Sequence, residues 1–178
     1  TQGVYFWGAQ GELASFPTSY IPTTGSTATR AADLASILVD NFGHNQKAGS
    51  VVAEFETKNT SNVNVLRLGR QSSYDNGLDF RVGSGSLKGT LWYDNTTQAE
   101  TTFSSVTSNT SYKMAGAIKT NDVQFAVDGS TGSVDTNASI NSAVTLLIGD
   151  QTQTALVGAI NIKSIKYYPR RLSNTQLQ

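Results

Sequence analysis

The chain contains no cysteine in its 178 residues, and it has only one histidine, one methionine and three prolines. The absence of cysteine excludes disulfide bonds, thiolate metal ligands and a cysteine nucleophile. Charged residues make up 15% of the chain and the formal net charge is zero. The sequence therefore lacks the basic surface that binds nucleic acid or an anionic membrane. It also contains no apolar run near the roughly 20 residues of a membrane span.

The length of the chain fits one β-sandwich domain with a short additional element. Threonine, serine, asparagine and glycine, which favour turns and hydrogen-bonded β surfaces, fill much of the polar remainder. The sequence begins at Thr1 and shows no signal peptide, so we expect it to be a piece of a longer polypeptide.

Short segments in which apolar and polar side chains alternate recur along the chain. The clearest are residues 51–57, 78–82 and 87–93. Alternation with a period of two indicates strands that bury one face. Strands of this length, separated by turn signals, predict an antiparallel sandwich.

Local signals for turns and helices are few. The dipeptides Asn76-Gly77 and Asp128-Gly129 are typical of two-residue hairpin turns. A helix is predicted only near the end of the chain, where a Ser-x-x-Gln capping box begins at Ser173.

Motifs at both ends of the chain are the most specific feature of the sequence. They are Trp7-Gly8-Ala9-Gln10, Ser19-Tyr20-Ile21-Pro22-Thr23-Thr24-Gly25, Thr29-Arg30-Ala31-Ala32-Asp33, Gly158-Ala159-Ile160-Asn161-Ile162 and Tyr167-Tyr168-Pro169-Arg170-Arg171-Leu172-Ser173. Together they resemble the boundaries of the concanavalin-A-like, or laminin-G-like, jelly-roll domain of tailed-phage and prophage virion proteins. The resemblance implies an all-β concanavalin-A-like jelly-roll sandwich of two antiparallel sheets. Within it, Leu172 is expected to enter the core.

The same resemblance implies two parts in the chain. Residues 1–29 are interpreted as an N-terminal strand, Val4 to Trp7, and a Pro/Gly/Thr-rich linker from an upstream domain. Residues 30–178 are interpreted as the concanavalin-A-like sandwich domain.

Signals for catalysis are weak. Jelly-roll glycosidases carry Glu-x-Asp-x-x-Glu on one strand, and Glu54-Phe55-Glu56 does not extend into that motif, while Glu12 and Glu100 lie in unrelated segments. His44 lies in a loop without a tyrosine or arginine nearby in sequence. We therefore predict a chain that is not an enzyme and has no catalytic residues. A polysaccharide-degrading enzyme is the least favoured alternative.

Glycan binding requires an aromatic plane for a sugar ring and polar groups for its hydroxyls and carboxylates. A strand of period two cannot bury both Leu91 and Trp92 on one face, so Trp92 is expected on the polar face. The alternative is that Trp92 covers a second apolar surface and that the arginines pair with Asp79 and Asp94. The predicted ligand-binding residues are Trp92, Arg67, Arg81, Asp79 and Lys88, with Arg70 and Tyr74 at the rim.

Several aspartates lie near predicted turns, where carboxylates could hold a calcium ion at the rim of a sheet. Aspartate also favours turns without any metal. We predict no cofactor and no metal, and keep calcium as the minority alternative. The aspartates are Asp75, Asp79, Asp94, Asp122, Asp128 and Asp150.

The resemblance implies a non-catalytic domain of a phage virion appendage (a tail fibre, spike or capsid decoration) that binds host cell-surface glycans. A purely structural virion domain without a ligand is the alternative. The expected partners are the host polysaccharide and other virion proteins, without nucleic acid or membrane insertion, and a homo-oligomer is plausible by analogy. The expected location is the virion, an extracellular particle made in the bacterial cytoplasm, where a domain without disulfides folds normally.

Overall fold

The computed structural model describes residues 3–5, 7–13, 19–29, 35–58, 60, 63–70, 76–140, 142–149 and 160–178. By its internal contacts the chain divides into two compact units, residues 1–33 and 34–178.

The first unit is held by local contacts. The rings of Trp7 and Tyr20 meet edge to face with their centroids 5.8 Å apart. The backbone N–H of Ile21 donates to Gln10 Oε1 at 2.8 Å. The described residues of this unit form no strand, so the strand expected from Val4 to Trp7 is absent at Val4, Tyr5 and Trp7, and Phe6 lies outside the described residues. An apolar tetrapeptide forms a strand only where a neighbouring strand pairs with its backbone.

The second unit is an all-β sandwich of two antiparallel sheets, which confirms the predicted fold class. Eleven strands lie in the described residues of this unit. Six of them form one sheet, in the order β1 (Ala35–Leu38), β10 (Thr145–Ile148), β3 (Val63–Gly69), β4 (Asn76–Gly83), β5 (Ser86–Tyr93) and β6 (Thr96–Ser105). The other five are ordered β11 (Ile160–Tyr168), β2 (Ala48–Thr57), β7 (Thr110–Lys119), β8 (Asp122–Val127) and β9 (Ser130–Thr131).

The core lies between the two sheets and is built from the alternate residues that the sequence pattern predicts to be buried. Phe55 of β2, Phe80 of β4 and Phe125 of β8 are all at most 1% exposed. Two glycines give these rings room, because a Cβ on Gly116 would lie 3.1 Å from Cε1 of both Phe80 and Phe125, and one on Gly89 would overlap the ring of Phe125. Close packing of this kind leaves little tolerance for added volume.

The turn predictions have different outcomes. Asp128-Gly129 connects β8 and β9 with both residues at positive φ, 48° and 83°, and this hairpin prediction is confirmed. Asn76-Gly77 is not a turn, because it is the beginning of β4 and pairs with β5. Gly77 still adopts a positive φ of 145°, which suits glycine.

The end of the chain packs on the outer side of the five-stranded sheet. Ser173 caps the 3-10 helix Asn174–Leu177 with the predicted capping box. Leu172 and Leu177 are buried there against Ala115, Ala117 and Ala126, forming a second small apolar cluster. The expectation that Leu172 is buried is confirmed, although it belongs to this cluster and not to the core between the sheets. No helix within the described part of the chain is long and apolar enough to cross a membrane.

Candidate functional site

The predicted binding residues lie in rows across the outer face of the six-stranded sheet, the face turned away from the core. Arg67 of β3 pairs with Asp79 of β4, and Asp79 pairs with Thr90 of β5. Thr90 in turn pairs with Glu100 of β6. In the next row Arg81 lies opposite Lys88. Strand alternation therefore groups these side chains on one face, and the structure adds Glu100 to them.

Arg67 and Asp79 lie in the covered part of this face. Both side chains are 0% exposed, and Arg67 Nε lies 3.4 Å from Asp79 Oδ1. All seven residues of β3 are buried, so the strand is covered on both faces. The assignment of these two residues to a binding surface is therefore wrong. They form the internal ion pair that the alternative interpretation expected for an arginine and Asp79.

The same face opens toward β6. Arg81 Nη2 lies 2.7 Å from Glu100 Oε2, and Lys88 Nζ lies 3.0 Å from Glu100 Oε1. Thr90 Oγ1 donates to Glu100 Oε2 at 3.2 Å. The charged side chains retain between 22% and 30% of their exposure. Because two cations share one carboxylate, this cluster carries one net positive charge.

The carboxylate of Glu100 is held ionised by these neighbours. Burial raises the pKa of Glu100, but the hydrogen bonds and charges of Lys88 and Arg81 outweigh that effect and the net pKa is lowered. Sequence reasoning placed Glu100 in an unrelated segment. Its position opposite Thr90 follows from the pairing of β6 with β5, which the short turn at Asp94 and Asn95, both at positive φ, connects.

Trp92 lies on the same outer face, two residues beyond Thr90, and is half-buried. It pairs with Gly77 of β4, which pairs with Gly69 of β3. A Cβ on Gly77 would lie 2.7 Å from the Leu68 carbonyl oxygen, and one on Gly69 would overlap the Asn76 carbonyl oxygen. The backbones of β3 and β4 therefore approach closely beside Trp92. Trp92 is not a member of the two apolar clusters that the described residues form.

Of the two residues predicted at the rim, Arg70 is described by the structure and Tyr74 is not. Arg70 directly follows β3 and is exposed, and its backbone N–H donates to the Asn76 carbonyl at 3.3 Å. Tyr74 lies outside the described residues. We name the group Arg81, Lys88, Thr90, Trp92 and Glu100 the open face.

The described aspartates make contacts within the chain. Asp122 Oδ1 lies 2.7 Å from Arg171 Nη2, and Asp128 Oδ1 accepts from the Lys113 N–H at 2.8 Å. Within the described part of the chain, no three histidine, cysteine, aspartate or glutamate residues group as metal ligands. Asp75 and Asp150 lie outside that part.

His44 is not an isolated loop residue, since the structure places it in an aromatic cluster at one end of the sandwich. Its ring centroid lies 5.2 Å from that of Tyr167, a residue distant in sequence, and 6.1 Å from that of Phe42. Burial lowers the pKa of His44, with a smaller opposing effect from its hydrogen bond to Gln46. Gln46 Oε1 also accepts a hydrogen bond from the Ala143 N–H at 2.8 Å, and Gln46 Nε2 donates to the Ala143 carbonyl at 2.9 Å. These contacts indicate a structural role for the cluster.

The stability of the protein is expected to decrease as the pH falls from about 7.5 to 5.5. Folded His44 has a lowered pKa, so the unfolded chain, with a pKa of about 6.5, binds the proton first. The stabilisation is complete above that pKa and is lost as the pH falls below it. Urea unfolding at both pH values measures the change, and His44→Gln should remove most of it. An equal pH dependence in the variant would contradict this assignment, because the chain has no other histidine.

Comparisons with known proteins identify the fold. No protein-family model matches the chain, and no curated protein sequence matches it. Among solved structures, the CBM40 of the Ruminococcus gnavus IT-sialidase, bound to α2,3 sialyllactose, aligns with a TM-score of 0.58 at 15% identity, over 75% of this chain and 82% of that one. A heptameric SAP-like pentraxin from Limulus polyphemus aligns with a TM-score of 0.54 at 13% identity, over 74% and 68%.

The Trypanosoma rangeli sialidase aligns with a TM-score of 0.55 at 17% identity, over 74% of this chain. This chain spans only 22% of the sialidase. At these identities the likenesses show the fold, a jelly-roll sandwich that also occurs in a carbohydrate-binding module and a pentraxin.

Proposed function

We propose that the chain is a non-catalytic glycan-binding domain that uses the open face. The observation that carries the proposal is the position of Trp92, half-buried and outside the apolar clusters, on the same face as a cationic cluster. A tryptophan placed this way presents an aromatic surface beside groups that hydrogen bond to sugars. The CBM40 likeness, to a protein solved with sialyllactose, supports the same function.

The chemistry of the open face favours a sugar that bears a carboxylate. Arg81 and Lys88 donate charge-assisted hydrogen bonds, and one net positive charge remains after Glu100 is counted. Glu100, ionised at neutral pH, accepts hydrogen bonds from sugar hydroxyls or from an amide N–H.

Binding at one such site is weak, because stacking and one or two charge-assisted hydrogen bonds correspond to a Kd in the millimolar range, about −4 kcal/mol. Several copies on one particle would convert weak sites into useful adhesion. A virion appendage that contacts host surface glycans provides such copies. The motifs at the two ends of the chain and the absence of cysteine support this setting, with other virion proteins as partners.

Replacing Trp92 with alanine is expected to weaken glycan binding on the order of tenfold or more, because the stacking surface is lost. The measurement is a glycan array followed by calorimetric titration with α2,3-sialyllactose. The domain should remain folded by circular dichroism, since Trp92 lies outside both apolar clusters. Tyr5→Ala is the matched control, because Tyr5 is a 97% exposed aromatic residue of the first unit.

Two results would contradict the proposal. Unchanged binding in Trp92→Ala would move the site away from the open face. Failure of the wild-type protein to bind any glycan on the array would favour the purely structural virion domain.

A further inference from the structure

A second recess lies at the side of the sandwich, where the edges of the two sheets face each other. Its volume is about 250 Å³. Among the described strands, β6 has a partner on one side only, and the recess lies along β6 where the chain segment after β9 faces it. We name it the edge groove. Its lining includes Glu100, Thr101, Thr102, Ser133, Val134 and Asp135.

The wall opposite β6 is fixed to the five-stranded sheet. Asp135 and Val123 exchange backbone hydrogen bonds of 2.8 and 3.0 Å. The N–H of Gly132 donates to the Phe125 carbonyl at 2.9 Å, and Gln124 Nε2 donates to the Gly132 carbonyl at 2.9 Å. The groove is therefore formed before any ligand arrives, and a preformed site loses less entropy on binding.

The lining has the composition of a sugar subsite. Thr101, Thr102 and Ser133 supply hydroxyls, and Val134 contributes an apolar side chain that is 38% exposed. One oxygen of Asp135 accepts from the Asn137 N–H at 2.8 Å, and a carboxylate has further lone pairs for vicinal hydroxyls. The volume lies below the roughly 300–1,000 Å³ of clefts that hold drug-sized ligands, so it suits a single ring.

Glu100 connects the edge groove with the open face, because it lines the groove and also binds Arg81 and Lys88. Thr102, another lining residue, pairs with Lys88 across the two strands. Trp92 lies on the same strand two residues from Thr90, the residue that pairs with Glu100. An oligosaccharide whose terminal sugar occupies the open face would therefore extend toward the groove.

We infer that the edge groove is a second subsite, which binds a neutral sugar residue next to the acidic terminal sugar. The inference rests on the proposed function of the open face. It predicts that the domain binds an acidic oligosaccharide more tightly than the acidic monosaccharide alone.

The test uses two probes, α2,3-sialyllactose and the methyl glycoside of sialic acid, titrated calorimetrically into the whole chain. Asp135→Asn removes the charge while its amide oxygen can still accept from Asn137, and Ser133→Tyr fills the groove from an exposed position. Asp128→Asn and Ser139→Tyr are the matched controls, since Asp128 also accepts a backbone N–H and Ser139 is also an exposed, non-strand serine.

Both groove variants are expected to lower the affinity for sialyllactose on the order of tenfold, and to leave the affinity for the monosaccharide unchanged. The controls should bind both probes like the wild-type protein. Groove variants that bind sialyllactose normally would overturn the second subsite, while loss of binding in Trp92→Ala would still support the open face. Equal loss of both probes in the groove variants would also overturn it. A wild-type protein that binds neither probe would overturn the open-face assignment for acidic sugars as well.

Discussion

Asp79→Ala is expected to lower the free energy of unfolding by about 3–5 kcal/mol, because it removes a buried carboxylate that lies 3.4 Å from the buried guanidinium of Arg67. Both side chains are fully buried on the outer face of the six-stranded sheet. Urea unfolding at pH 7 and 25 °C measures the loss. A change of this size is a large fraction of the 5–15 kcal/mol that stabilises a typical domain.

Glu54→Ala is the matched control for this experiment. Glu54 also lies on a strand and faces a cation, but its contact with Lys163 is 3.9 Å long and both side chains are 47% exposed. Exposed pairs contribute about 0–1 kcal/mol. If Asp79→Ala cost no more than Glu54→Ala, the buried pair would not be structural. Replacing both Arg67 and Asp79 with leucine should recover much of the loss, since both buried charges of the pair are then removed together.

Gly89→Ala is expected to destabilise the domain by about 3 kcal/mol, the upper part of the usual range for overpacking a core. The new methyl group would overlap the Phe125 ring, which is 1% exposed and packs edge to face on Phe80 at 6.4 Å. Phe125 and Phe80 are both buried in the core, so the ring can withdraw only by displacing other core side chains. The thermal unfolding midpoint and the urea midpoint both report the change.

Gly83→Ala is the control, since Gly83 also lies on a strand of the six-stranded sheet and its Cβ would meet the Lys88 side chain alone, with Cδ at 3.4 Å and Cε at 3.7 Å. That contact is ordinary, and the lysine side chain can move. A similar loss of stability in both variants would show that the effect comes from glycine replacement in a strand and not from Phe125.

Features that depend on neighbouring residues along the chain could be predicted from the sequence. Period-two alternation placed Arg81, Lys88 and Trp92 on one face, because successive side chains of any strand point to opposite sides. The Asp128-Gly129 turn and the Ser173 capping box were likewise predicted, since each is a backbone conformation stabilised within a few residues.

Features that depend on which strands become neighbours required the tertiary structure. Alternation could not show that Arg67 and Asp79 are buried, because burial depends on what covers β3. Asn76-Gly77 has the composition of a turn, but pairing with Tyr93 and Trp92 makes it part of β4. Short-range propensity is overridden where long-range pairing satisfies the backbone.

By itself, the sequence determined that the second unit is an all-β sandwich with a polar outer face that bears Trp92. The tertiary structure decided which part of that face is open, by covering β3 and bringing Glu100 to Arg81 and Lys88. It also formed the edge groove, which is lined by residues as distant in sequence as Ala99 and Asp135. The physical reason is that alternation specifies the direction of a side chain, whereas burial and charge pairing depend on contacts between segments far apart in the chain.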